Sequence, residues 1–487
     1  MTFRSADDLR NRLSGIARID GERLEISDEA RLRDELMDEL VFEAVFNDDA
    51  ALRDACRWVI WSASQALGSG SASIQDLYMA RGREEFDPTR FTVPAVNVRA
   101  STYLTARQAF AAARERDAGT LIFEIAKSEM AYTEQRPAEY AAVILGAAIR
   151  ERWPGPVFLQ GDHFQFNVKK WAADPKAEME GLRDLTREAI AAGFCNIDID
   201  SSTLVDLSLP TVTEQQQVNA DNTASLTQLI RSLEPAGVTI SIGGEIGEVG
   251  KENSTEAELR AYLDEYDRRL AAGDGGAPSG ISKISVQTGT SHGGVPLPDG
   301  SMAPVSIDFD TLRRLSALAR HEYGLAGCVQ HGASTLPDEA FHHFPANGTA
   351  EIHLATGFQN ILYDAGGLPA ELKAEMMAWC RDNLADERTP GQTDEQFLYK
   401  TRKKAIGPFK RQLWTLPDAA AAEIAGHLRR KFDQLFDELG IAGNRSLVER
   451  YVEAPDLPRP LPPALGGQER TAVAAGASVF EGDESGE

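Results

Sequence analysis

The sequence predicts an α/β protein built on a closed (β/α)8 barrel, preceded by a helical extension and followed by a disordered tail. From about residue 93 onward, eight short apolar runs alternate with amphipathic stretches long enough for helices. Strict alternation of this kind implies a parallel sheet with right-handed crossovers. Eight such units close into a barrel, whereas an open doubly wound sheet seldom has eight and opens on a GxGxxG turn that this chain lacks.

The runs are VPAVNV (93–98), TLIFEIA (120–126), PVFLQGD (156–162), CNIDID (195–200), VTISIGGEI (238–246), ISKISVQTG (281–289), LAGCVQHG (325–332) and AEIHLATG (350–357). Between them, residues 104–118, 137–152, 176–192, 222–233, 256–272 and 309–323 carry apolar positions at helical spacing. Residues 1–88 read as the extension, with two helices over 28–66 and a small flexible joint at GSGSAS (68–73); nothing in them resembles a catalytic motif. Residues 89–445 are the barrel domain. Residues 446–487, rich in Pro and Gly and acidic at the end, bury too little to order themselves.

Composition narrows the partners. A formal charge of −25 over 487 residues argues against nucleic acid or an anionic membrane surface, so positive contacts to an anionic substrate must be local. The longest clean apolar stretch, about 141–149, is too short to span a bilayer, and the N-terminus lacks the apolar core of a signal peptide. The expected compartment is the cytoplasm. Four Cys fall at unrelated spacings and are assigned no chemistry.

Three strings carry the chemistry: GDH at 161–163, TGTSHGG at 288–294 and QHGAS at 330–334. Each places one of only eight histidines beside Gly or Asp where an apolar run ends. In a barrel, side chains just past the strands converge on one rim. His163, His292 and His331 would therefore meet, and three imidazoles with an open fourth position are the ligand set of a catalytic zinc.

With these strings in order, the chain over roughly 90–440 resembles the class II, metal-dependent ketose-bisphosphate aldolases, which share strand–DH, strand–IDxS, strand–E(L/I)G, strand–GTxHG and strand–HGxS. The resemblance implies Zn²⁺ on His163, His292 and His331, with Asp200 and Glu245 as nearby carboxylates and a monovalent cation as a further candidate. It implies reversible cleavage of a phosphorylated ketose to glycerone phosphate and an aldehyde. Zinc would act as a Lewis acid toward the enediolate, and Asp162 would handle the proton on the second carbonyl oxygen. Asn97, Gly293, Gly332, Ser334 and Thr356 would contact substrate, the last four its phosphate. Arg402, in the basic run YKTRKKAIGPFKR (399–411), would grip a distal phosphate across a homodimer or homotetramer.

Three positions depart from the family pattern. Asn253 stands where the loop base is expected, which shifts that role to Glu252, with Glu248 as the alternative. In the eighth run His353 replaces an Asn that contacts the enediolate, and Ala355 replaces an Asp that contacts the aldehyde half. These departures keep open a second reading, a catalytically altered sugar-phosphate-binding or regulatory subunit. A hydrolase with a three-histidine site fits the loops less well.

Overall fold

A computed structural model describes residues 3–246, 252–272, 278–289 and 307–468. A closed barrel of eight parallel strands forms its centre. After a short hairpin, β1 (Ala17–Asp20) and β2 (Arg23–Ile26), the barrel strands are β3 (Val93–Asn97), β4 (Ile122–Ala126), β5 (Phe158–Gln165), β6 (Asn196–Asp200), β7 (Ser241–Glu245), β8 (Lys283–Val286), β9 (Cys328–Gln330) and β10 (Glu351–Leu354). They pair in chain order and β10 closes on β3. All eight expected runs are strands. Their residues are almost entirely buried, as befits parallel strands covered by helices outside and packed side chains inside.

The helices begin where local chemistry starts them. Asp174 and Pro175 open Pro175–Ala192, and Gly193, left-handed at φ 96°, ends it. Helix Val212–Leu233 starts ten residues earlier than the apolar spacing predicts, because Thr211 and Glu214 form a capping box ahead of the polar run Gln215–Gln217. Outside the strand ring, Asp418–Glu438 packs along Thr102–Glu115 and is pinned by ion pairs from Arg116 to Asp433 and Asp437.

Two expectations at the ends are corrected. The GSGSAS segment is no flexible joint: Ser69 and Ser71 are fully buried, and the backbone at Gly70 and Ala72 bonds to Val157 at the foot of β5. The extension thereby closes the lower mouth of the barrel, and the Tyr78 hydroxyl reaches Glu351 inside it. At the other end, residues up to 468 are a strap, not a loose tail. Trp58 Nε1 and Trp61 Nε1 donate to the carbonyls of Arg459 and Leu457, and the Arg459 guanidinium lies over the Trp61 ring. Burial of this apolar seam outweighs the ordering cost that composition alone suggested.

Candidate metal centre and active site

The site begins with a local irregularity in β5. Gly161 pairs with Ile197 but Phe164 pairs with Ile199, so β5 holds one extra residue at Asp162–His163. That is a β-bulge, and it leaves His163 with φ at +39°. A non-glycine residue held there costs of order 1–3 kcal/mol, repaid by the surrounding contacts. The bulge lets both Asp162 and His163 join one cluster at the C-terminal mouth.

Each side of the cluster comes from a strand end. His163 Nδ1 lies 3.2 Å from Asp200 Oδ2 and 3.6 Å from Glu245 Oε2, and its Nε2 lies 3.6 Å from Asp162 Oδ1. From β9, His331 Nδ1 is 3.7 Å from Glu245 Oε1, and the rings of His163 and His331 are 4.2 Å apart. Nδ2 of Asn97 donates to Asp162 Oδ2 at 3.3 Å. His353 Nδ1 is 3.1 Å from Asp162 Oδ1, and its ring is 4.3 Å from that of His331.

Three donor sets result among the described residues, Asp162 with His163, His331 and His353, His163 with Asp200 and Glu245, and, deeper in the barrel, Glu124 with Asp198, Glu351 and His353; within each, potential ligand atoms lie within 4.8 Å of one another. Burial disfavours the charged form of His163, but the carboxylates of Asp162, Glu245 and Asp200 outweigh it and hold the imidazole well above its ordinary range. Burial, then Asp200, push Glu245 well above the ordinary carboxylate range. Burial opposes ionisation of Asp200 too, yet bonds from His163, Ser202 and Gln165 keep it below that range. Together these carboxylates demand positive charge, which a divalent cation held by the imidazoles would supply in place of the proton. The residues fit the metal that the loop strings implied.

Beneath this layer lies a second one that the sequence reading missed. Lys283 Nζ, in the barrel interior, is 3.0 Å from Asp198 Oδ2 and 2.8 Å from Gln160 Oε1, and it also bonds Glu351. Gln160 donates to Glu124 and Glu351, both at 2.9 Å. Gly243 makes room: a Cβ there would come within 2.3 Å of Asp198 Oδ1 and 2.9 Å of Lys283 Cε. The signal was a period of two within apolar strands, as Gln160/Asp162, Asp198/Asp200, Lys283/Ser285 and Glu351/His353 point the same way.

The remaining expected residues divide. Gly332, left-handed at φ 68°, turns the chain after β9, and Ser334 Oγ accepts from the Ala355 amide at 2.6 Å, joining the loops after β9 and β10. Thr356 begins the helix Thr356–Asp364 and is buried. Glu252 is exposed. Asn253 Nδ2 donates to Asp308, which caps the helix Phe309–Tyr323, at 3.1 Å, so that amide is engaged in structure. His292, Gly293, Gly294 and Glu248 lie outside the described residues. Arg402 is buried, bidentate to Asp364 at 2.9 and 2.8 Å, and stacked on Tyr363 and Tyr399. In the same basic run Lys404 and Lys410 pair with Glu387 and Glu139, and Lys403 and Arg411 lie over aromatic rings.

Among the described residues, no helix is long and apolar enough to cross a membrane. No curated protein matches the sequence. Solved structures similar to the chain include a probable tagatose 6 phosphate kinase from Sinorhizobium meliloti 1021, 19% identical over 77% of this chain and 96% of that one, with a TM-score of 0.49. A fructose-bisphosphate aldolase from Campylobacter jejuni is 16% identical over 78% and 98%, with a TM-score of 0.45. The YdjI aldolase of Escherichia coli K12 is 13% identical over 77% and 99%, with a TM-score of 0.42. The family described as fructose-bisphosphate aldolase class-II matches residues 84–411, more than half of the chain and all eight barrel strands. The protein therefore belongs to the class II fructose-bisphosphate aldolase family and is a lyase of that class.

Proposed function

We propose that the protein is a zinc-dependent aldolase that cleaves a phosphorylated ketose to glycerone phosphate and an aldehyde. One observation carries this reading: Asp162, His163 and His331 meet Asp200 and Glu245 at the mouth where barrel chemistry takes place. His163 and His331 would hold the metal, with His292 completing the set and Asp200 and Glu245 balancing its charge. When bound, zinc supplies Lewis-acid polarisation of the ketose carbonyl.

The chain's own groups do the rest. Asp162 is buried and oriented by Asn97, and it takes the proton from the hydroxyl that becomes the aldehyde oxygen. Glu252, beside the loop that follows β7, moves the proton at the donor carbon. The turn at Gly332 and the joined loops at Ser334 and Thr356 present N–H and hydroxyl donors to a phosphate.

Ala355 offers no carboxylate to the aldehyde half, so the preferred substrate is a ketose phosphate differing from fructose 1,6-bisphosphate in that hydroxyl. The test is a panel of fructose, tagatose and shorter or deoxy ketose phosphates, compared by kcat/KM for glycerone phosphate release. Release from at least one member supports the reading. No release from any, with glycerone phosphate still bound, favours the sugar-phosphate-binding alternative, and a strong preference for fructose 1,6-bisphosphate overturns the reading of Ala355.

A further inference from the structure

The eighth barrel strand carries an imidazole with carboxylates at both nitrogens, Asp198 Oδ2 among them at 3.6 Å from Nε2. His353 Nε2 lies 2.7 Å from Glu351 Oε1, and its Nδ1 faces Asp162 Oδ1 at 3.1 Å and Glu124 Oε2 at 3.3 Å. Glu351 is fully buried and surrounded by donors: Lys283 Nζ, Gln160 Nε2 and the Tyr78 hydroxyl all bond it. A carboxylate so fully served by donors, one of them a cation, stays ionised and accepts a hydrogen bond from His353 Nε2–H. When the ring is neutral this puts the lone pair on Nδ1, the nitrogen beside Asp162 and Glu124, and the His331 ring lies 4.3 Å from the His353 ring.

Nδ1 facing carboxylates calls for positive charge between them, either the proton of the His353–Asp162 hydrogen bond or a metal ion in its place. His353 falls in the same donor set as Asp162, His163 and His331, and in another with Glu124, Asp198 and Glu351. A carboxylate that takes one ring N–H and thereby aims the other nitrogen at a metal is the usual outer support of a histidine ligand. Buried Glu124, whose Oε2 lies 3.3 Å from Nδ1, leaves its Oε1 without a partner.

We propose that His353 is a metal ligand through Nδ1, with Glu351 as its orienting carboxylate and Lys283, Gln160 and Tyr78 as the anchors of Glu351. The proposal rests on the metal-dependent reading above. It makes the eighth strand part of the metal site and gives the buried Lys283 a task, holding the carboxylate that aims the ligand. Binding the ion exchanges the His353–Asp162 hydrogen bond for a metal bond and frees an oxygen of Asp162 toward substrate.

The experiment uses full-length protein and Zn²⁺ or Co²⁺ alone. Metal stoichiometry and zinc affinity by chelator competition, with the Co²⁺ absorption spectrum, are measured for wild type, His353→Asn and Glu351→Gln, each checked for folding by circular dichroism. The expected result is one ion per wild-type chain. In His353→Asn, zinc binding weakens at least 100-fold and the Co²⁺ bands shift. In Glu351→Gln, binding weakens about 10- to 100-fold while the Co²⁺ bands keep their pattern. Wild-type affinity and bands in His353→Asn overturn this proposal alone, whereas failure of the wild type to take up a divalent ion overturns the reading it rests on. Should either variant fail to fold, pulsed EPR of Cu²⁺-loaded His292→Ala decides: three coordinated histidine nitrogens support the proposal and two overturn it.

Discussion

Lys283 Nζ lies 3.0 Å from Asp198 Oδ2 inside a barrel whose interior is otherwise closed from below by the N-terminal extension. Both side chains are buried, and burial weakens the charged form of Lys283 less than Asp198 and Glu351 strengthen it. Breaking a buried pair by removing one partner leaves uncompensated charge, typically at a cost of about 3–5 kcal/mol. Lys283→Met should therefore lower the free energy of urea unfolding by that amount, and adding Asp198→Asn should restore part of it.

The pair of Lys410 and Glu139 gives a pH signature. Burial raises the Glu139 carboxyl and Lys410 opposes the rise. A carboxyl raised on folding adds stability below its unfolded value and loses it as pH climbs through the folded one. Lys410→Met raises that carboxyl further. Its deficit in urea unfolding should then be largest at pH 7, about 3–5 kcal/mol, and should shrink as pH falls toward 5. In Lys410→Met/Glu139→Gln, the pH dependence should disappear.

Proton movement at the donor carbon is assigned to Glu252. Glu252→Gln should slow exchange of that hydrogen with solvent by about 10²–10⁴-fold while zinc content and glycerone phosphate binding stay near wild type. Isotope exchange followed by NMR measures it. Exchange at the wild-type rate would move the role to another residue.

The loops after β9 and β10 predict a gain of function. Ala355→Asp returns an acceptor to the position beside Ser334. One added hydrogen bond of ordinary strength should raise kcat/KM for fructose 1,6-bisphosphate by roughly two- to tenfold, with unchanged melting temperature. An unchanged ratio across the sugar panel would separate Ala355 from specificity.

The barrel was legible because each strand is a continuous apolar run between helix signals, a pattern that needs no long-range information. The loop strings holding His163 and His331 were legible for the same reason, and the structure brings both side chains together. Three features were not. The bulge at Asp162–His163 depends on how β5 registers against β6, which neither strand encodes alone. The bond of Tyr78 to Glu351 joins residues 273 positions apart. The interior charges were present in the sequence as alternate polar residues, but a buried Lys such as Lys283 gains meaning only when Asp198, Glu351 and the space above Gly243 are known.

The central claim is that cleavage requires a metal held by His163 and His331. Its most direct test is to strip the protein with a chelator, titrate Zn²⁺ back and follow glycerone phosphate release from the best ketose phosphate, alongside His331→Ala. The account predicts that release vanishes in the stripped protein and returns in full at one zinc per chain. It also predicts that His331→Ala loses most of its zinc and all release, while His342→Ala and His427→Ala keep both. Undiminished release from metal-free protein, or full zinc occupancy in His331→Ala, would contradict it.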